Sequence, residues 1–170
     1  MTLCTTTLSL AICSTLAFAA GTPQKPAAAA KLPAAVAGDL NAMAEQCREA
    51  EGKPLTDAAI KRADLNADGK EDFVLDVGSI NCDGAASIYG DREKGVTVYV
   101  GDGNGGATNA FSEWVFGATI EGTGPAAKLW LTVSGEACGR KPAADFASEN
   151  FCDRAIVWNA KTKKFQLAPV

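Results

Sequence analysis

One short segment carries the most specific chemical signal in the chain. It is Asp64-Leu65-Asn66-Ala67-Asp68-Gly69-Lys70-Glu71-Asp72, a D-x-N-x-D-G-x-x-D spacing. A backbone wrapped around a hard cation presents side-chain oxygens at positions 1, 3, 5 and 9 and a main-chain carbonyl at position 7. Here those donors are Asp64, Asn66, Asp68 and Asp72, with the carbonyl of Lys70. Gly69, at position 6, suits the left-handed turn that reverses the chain around an ion. In an EF-hand a bidentate Glu at position 12 completes the shell; here that position is Leu75, within the strand-like Phe73-Val74-Leu75, so the loop is not an EF-hand. A water or a distant oxygen must complete the shell, and the expected cofactor is a weakly held, structural Ca²⁺, with Kd on the order of 10⁻⁴–10⁻³ M. The competing reading is a metal-free acidic turn, because Asp and Asn favour turns unaided. Five matched donor positions and three mutually repelling carboxylates favour calcium.

Other chemistry is narrowed by what the chain lacks. It has 170 residues and no His, which excludes Ser-His-Asp, Cys-His and His-metal mechanisms for the chain acting alone. A net charge of −4 argues against nucleic acid as a partner. Gly101-Asp102-Gly103-Asn104-Gly105-Gly106 fails as a phosphate loop, since no helix and no Lys-Ser/Thr follow, and reads as a tight connection between strands. A carboxylate pair for glycoside hydrolysis would have to come from Asp76, Asp83, Glu113, Glu121 or Glu136, and nothing in the spacing sets two of them across a cleft. Trp114 and Trp130 alternate with apolar neighbours and read first as core or rim, with sugar stacking as the functional alternative.

The elements that must position these groups begin with an export signal. Leu8 to Ala20 is an apolar run ending in Ala17-Phe18-Ala19, an A-x-A cleavage pattern, although Met1 to Thr7 carries no Lys or Arg. At about 13 residues it falls short of the roughly 20 that span a bilayer. Residues 1–19 are therefore expected to be a signal peptide and 20–32 an Ala/Pro-rich linker, placing the mature chain in the periplasm or outside the cell, with no stable membrane span after cleavage. Residues 33–170 form a single expected domain. Its first element is a helix over 33–50, from the spacing of Val36, Leu40, Met43, Ala44 and Cys47, with Gly52 as a stop signal.

Cys4 and Cys13 leave with the signal, so the mature chain keeps Cys47, Cys82, Cys138 and Cys152. An even number in an oxidising compartment reads as disulfides. Three pairings are possible; Cys47–Cys82 and Cys138–Cys152 are favoured, the first pinning the helix end to the sheet and the second closing a short polar loop. A four-thiolate zinc site needs CxxC-type spacing that is missing.

From Ala58 onward the period alternates, within a β domain expected over 55–170. Strands are expected at 58–63, 73–77, 95–100, 110–116, 128–134, 154–159 and 164–167, the last two joined by a hairpin turn over Asn159 to Lys164. No helix-length segment separates them, so the expected fold is mainly β (α+β): an antiparallel, meander or sandwich-like sheet of about seven strands with one N-terminal helix, stapled by disulfides.

The acidic loop running into a strand, Asp64 to Val77, resembles one FG-GAP/VCBS repeat, the calcium-loop blade of certain β-propellers. Val98 to Gly105 and Phe111 are similar to the Gly-rich second half of that repeat, so the likeness spans Ile60 to Phe111. No second D-x-N-x-D-G occurs, which excludes a full propeller. The position usually occupied by Gly in the family is Ala67 here. More of the chain is similar to a group of small exported bacterial proteins of uncharacterised function, through Cys47-Arg48-Glu49-Ala50, Asp64 to Asp76, Cys82-Asp83-Gly84-Ala85-Ala86-Ser87 and Gly135-Glu136-Ala137-Cys138-Gly139. Where that group carries extra cysteines, this chain has Ile88-Tyr89-Gly90-Asp91-Arg92. The resemblance implies export, staples and the loop, and brings no activity.

The function expected from the sequence is a non-catalytic exported binding or interaction module, braced by calcium. Its unidentified envelope partner, a protein or a glycan, would meet loops such as Asp83–Lys94 or Gly101–Asn109. The alternatives are an exported inhibitor of a hydrolase such as lysozyme, and a carboxylate-dependent hydrolase.

Overall fold

The computed structural model describes residues 31–170. The expected signal segment with Cys4 and Cys13, and the expected linker up to residue 30, lie outside the described residues. Leu32, expected in the linker, packs against the helix-side core.

Helix α1 (Ala34–Glu49) starts behind Pro33, whose fixed φ of −54° suits a helix entry and whose carbonyl accepts the Ala37 N–H at 2.9 Å. Val36, Ala44 and Cys47 form its buried stripe. At its end the left-handed residue is Glu51 (φ 59°), not the expected Gly52. Gly52 serves a different need: a Cβ there would lie 2.3 Å from Cys82 Sγ and 2.9 Å from Cys47 Sγ.

Ten strands follow: β1 (Lys53–Leu55), β2 (Ile60–Ala63), β3 (Asp72–Asp76), β4 (Asn81–Asp83), β5 (Lys94–Gly101), β6 (Ala107–Val115), β7 (Gly117–Glu121), β8 (Lys128–Ser134), β9 (Phe151–Asn159) and β10 (Lys164–Leu167). The chain is thus mainly β, with three short strands more than the seven expected. β1 and β4 make a two-stranded ribbon, while β2-β3-β5-β6 and β10-β9-β8-β7 form two four-stranded sheets, antiparallel throughout.

Alternation along the strands builds two cores, one on each face of the first sheet. Val74, Val96, Val98 and Phe111 point to the second sheet and meet Leu129, Leu131, Val133, Ile156 and Phe165. Phe73, Leu75 and Tyr99 point the other way, to Val36 and the Cys47–Cys82 bridge. β3 is consequently buried at all five positions. Two polar side chains lie in this buried strand, Asp72 and Asp76. Asp76 Oδ2 accepts from Lys61 Nζ at 2.6 Å and from Ser79 Oγ at 2.8 Å, and Lys61 also donates to the Ala118 carbonyl at 2.7 Å. The Lys61 ammonium therefore ties the first sheet to β7 of the second.

Both favoured disulfides form. Cys47–Cys82 closes 35 residues and links the helix end to the β1–β4 ribbon, and Cys138–Cys152 closes 14. Their Cα–Cα distances of 5.7 and 6.0 Å lie in the ordinary range.

Candidate functional site

The acidic segment connects β2 to β3, closed at its base by the pairing of Ala63 with Asp72. Its first side chain organises the turn: Asp64 Oδ1 accepts from Asp68 N at 3.1 Å and Oδ2 from Gly69 N at 3.0 Å. Asn66 Oδ1 accepts from Asp68 N at 3.0 Å, and Asp68 Oδ1 from Lys70 N at 2.9 Å. These local bonds give the backbone an alternative to the sheet ladder, which is why Asp and Asn break the strand here. The reversal needs left-handed backbone at two places, Ala67 (φ 58°) and Gly69 (φ 80°). The first is the position where the resembling repeat carries Gly, so Ala67 bears a Cβ in a conformation that disfavours one.

Asp72 sits differently. Its side chain is fully buried, Oδ2 accepts from Leu65 N at 2.9 Å, and Oδ1 accepts from Gly101 N at 3.1 Å. It thereby staples the loop entry to the end of β5, across 29 residues. Gly101 permits that approach, since a Cβ there would stand 2.0 Å from the Glu71 carbonyl oxygen. Burial pushes the Asp72 carboxyl above its ordinary range, and the charges of Asp68 and Asp64 push it the same way; the Gly101 and Leu65 N–H groups pull it back. Lys70 stands 3.9 Å from Asp68, both side chains being well exposed, and Arg62 pairs with Glu71 at 2.7 Å beside the loop.

The predicted donors are therefore on one hairpin connection, in two groups. Asp64 and Asn66 are half-buried and Asp68 is exposed in the turn with the Lys70 carbonyl, while Asp72 lies at its buried base. Among the described residues no three His, Cys, Asp or Glu side chains converge to hold an ion. The donor chemistry still suits a hard cation: every candidate donor is oxygen, and a carboxylate oxygen that accepts one N–H keeps a lone-pair direction for a second partner.

Gly101 to Gly106 is the expected tight connection, between β5 and β6. Asp102 Oδ1 accepts from Asn104 N at 2.6 Å and Gly106 N at 2.9 Å, which holds the Asp102 carboxyl below its usual range. This turn abuts the acidic loop, because a Cβ on Gly103 would lie 3.2 Å from Lys70 Cδ.

The five carboxylates considered for hydrolysis are spread over separate elements. Asp76 is paired with Lys61, Asp83 is exposed on β4, and Glu113, Glu121 and Glu136 are exposed on β6, β7 and the turn after β8. Trp130 is half-buried among Thr119, Glu121, Thr132 and Asp153, whereas Trp114 is 65% exposed. Sequence reasoning missed Asp39, whose Oδ2 accepts from the buried Tyr99 hydroxyl. That contact joins residues 60 positions apart and leaves no local pattern. Among the described residues no helix is long and apolar enough to cross a membrane. Comparison with protein-family models, with curated proteins and with solved structures found no match.

Proposed function

We propose that this chain is a non-catalytic, exported binding module whose Asp64–Asp72 loop holds a weakly bound structural Ca²⁺. The observation that carries the reading is the loop itself. The Asp64, Asp68 and Asp72 carboxylates and the Asn66 amide oxygen lie within nine residues, with the Lys70 ammonium 3.9 Å from Asp68. A divalent ion held by Asp64, Asn66, Asp68, the Lys70 carbonyl and Asp72 would offset their repulsion and relieve the charge on buried Asp72. Two disulfides and an A-x-A pattern after an apolar run support an oxidising, exported setting, periplasmic or secreted, where calcium is plentiful enough for so weak a site.

The test is calorimetry and thermal melting of the EDTA-stripped full chain. Millimolar Ca²⁺ binds with Kd on the order of 10⁻⁴–10⁻³ M and raises Tm, and Asp68→Asn removes both effects. Neither heat nor a rise in Tm at 10-fold higher Ca²⁺ than that range refutes the loop's role. Fractionation of cells expressing the chain, with the mature N-terminus sequenced, tests export: cleavage after Ala19 or Ala20 is expected.

A further inference from the structure

On the outer face of the second sheet, away from both cores, a groove of about 430 Å³ lies over β7, β8 and β9. Leu129, Leu131 and Val133 of β8 point inward, so Trp130 and Thr132 point out. The register sets Trp130 between Thr119 of β7 and Ala155 of β9, and Thr132 between Gly117 and Asp153. Thr119, Trp130, Thr132 and Asp153 therefore share one face, and Glu121, two residues beyond Thr119, joins them. Two small residues leave room in it. Ala155 stops short beside the indole, and Gly117 has no side chain beside Thr132, where a Cβ would lie 3.2 Å from Oγ1. The volume lies within the range of small-ligand sites.

The Trp130 Nε1 is buried without a hydrogen-bond partner, although the residue as a whole is only half-buried. Its backbone is paired to strands on both sides, so what Trp130 shows to the groove is indole carbon. Around that carbon stand hydroxyls and carboxylates. Thr132 Oγ1 donates to Asp153 Oδ1 at 2.6 Å, which orients the carboxylate and leaves Oδ2 for another donor. Glu121 is exposed and forms no ion pair among the described residues. Lys128, opposite Glu121 in register on the same face, offsets one of the two negative charges, which favours a neutral ligand over an ion. An apolar ring surface bordered by acceptors matches a molecule that is apolar on one side and carries hydroxyls at its edge. A pyranose has that form: C–H groups on its face, and rim O–H groups that can donate charge-assisted bonds to carboxylates.

We infer that this groove binds one pyranose unit of a neutral saccharide, with the C–H face of the ring on Trp130, ring hydroxyls donating to Asp153 and Glu121, and the Thr119 hydroxyl as a further partner. The inference goes beyond the calcium reading and does not depend on it, since the acidic loop joins β2 to β3 in the other sheet.

NMR titration of the isotope-labelled full chain tests it, with the indole N–H signals as the readout. Trp130→Phe identifies the Trp130 signal by its loss, and Trp114 and Trp158 serve as internal references. The probes are methyl β-glucopyranoside, which has both ring face and hydroxyls, sorbitol, which has hydroxyls without a ring, and cyclohexanol, a ring with a single hydroxyl. The glucoside moves the Trp130 signal with Kd on the order of 10⁻³ M, the ordinary efficiency for a ligand of its size, and sorbitol and cyclohexanol bind about fivefold more weakly or less. Asp153→Asn, at an exposed position, weakens glucoside binding about fivefold, leaves cyclohexanol unchanged and keeps Tm. Each titration is run with calcium and with EDTA; glucoside binding in both sets this site apart from the loop, whose failure to bind calcium would leave these results unchanged. No movement of the Trp130 signal at about 50 mM glucoside, movement of the Trp114 or Trp158 signal in its place, equal affinity for cyclohexanol, or unaltered glucoside affinity in Asp153→Asn overturns the proposal.

Discussion

Removing the Cys47–Cys82 bridge is expected to do more than remove a cross-link. Closing a loop of 35 residues constrains the unfolded chain by about 4 kcal/mol on the chain-entropy scale, against about 3 kcal/mol for the 14-residue loop of Cys138–Cys152. The two bridges also differ in what they hold. Helix α1 has no side-chain cap at its start and only three fully buried positions, one of which is Cys47 itself. The β1–β4 ribbon to which it is bridged has three residue pairs. A two-stranded ribbon of that length is marginal by itself. The double variant Cys47→Ala/Cys82→Ala should therefore lose about 4 kcal/mol in urea denaturation under non-oxidising-exchange conditions, and the amides of residues 34–49 should lose hydrogen-exchange protection before those of the sheets. Cys138→Ala/Cys152→Ala should lose about 3 kcal/mol with the helix amides still protected. Because Asp39 rides on that helix, the first variant should also lose the hydrogen bond from the Tyr99 hydroxyl to Asp39. If the helix keeps its protection in the first variant, or if the first variant is no less stable than the second, the bridge is not what seats the helix and the reasoning fails.

Three further substitutions probe single interactions. Ala67→Gly removes a Cβ from left-handed backbone and should raise stability by about 0.5–1 kcal/mol, the relief of strain exceeding the added freedom of the unfolded chain; a rise of a few degrees in Tm checks it. Lys61→Met should lower stability by about 2 kcal/mol in urea, below the 3–5 of a fully buried pair because the Lys61 side chain is 28% exposed, and Asp76→Asn in the same background should recover part of the loss. Burial, and then the hydrogen bond to Asp39 and its charge, push the Tyr99 phenol well above the ordinary tyrosine value of about 10, so above that pH it stays neutral in the folded state where the unfolded chain ionises. The stability this contributes is complete below pH ~10 and is lost as pH rises through the folded-state value; Tyr99→Phe should flatten that alkaline fall while lowering stability at neutral pH by about 1–2 kcal/mol, as measured by urea midpoints from pH 7 to 11.

The elements legible in the sequence are those whose burial follows a local period. β8 and β10 have the expected bounds, Lys128–Ser134 and Lys164–Leu167, because Leu129, Leu131 and Val133, and likewise Phe165 and Leu167, fall at every second position on one buried face. The three strands not anticipated lack that signal. β1 has Pro54 at its centre, and β4 is the polar triplet Asn81-Cys82-Asp83; their pairing rests on the bridge that brings Cys82 to the helix. β7, Gly117 to Glu121, is an edge strand with no fully buried residue, so no apolar pattern marks it. At the loop, spacing placed all five candidate donors on one connection. It gave no sign that Asp72 would be stapled to Gly101, nor that Asp39 would meet Tyr99, because each contact crosses a long sequence separation.

The β5–β6 hairpin carries the anchor of the acidic loop at one end and lies beside helix α1 at the other. At one end Gly101 N donates to Asp72, and at the other Gly95 to Thr97 line a cleft against Asp39 and Met43 of α1. Between them Val96, Val98 and Tyr99 are each no more than 1% exposed and contribute to cores on both faces of the sheet. Interiors packed to this degree transmit a shift only if a second arrangement of similar energy exists. A cation in the loop would add to stability through its preference for the folded chain, by mass action. Calcium on this reading is a brace at one end of the hairpin, where Asp72 already holds the loop to Gly101.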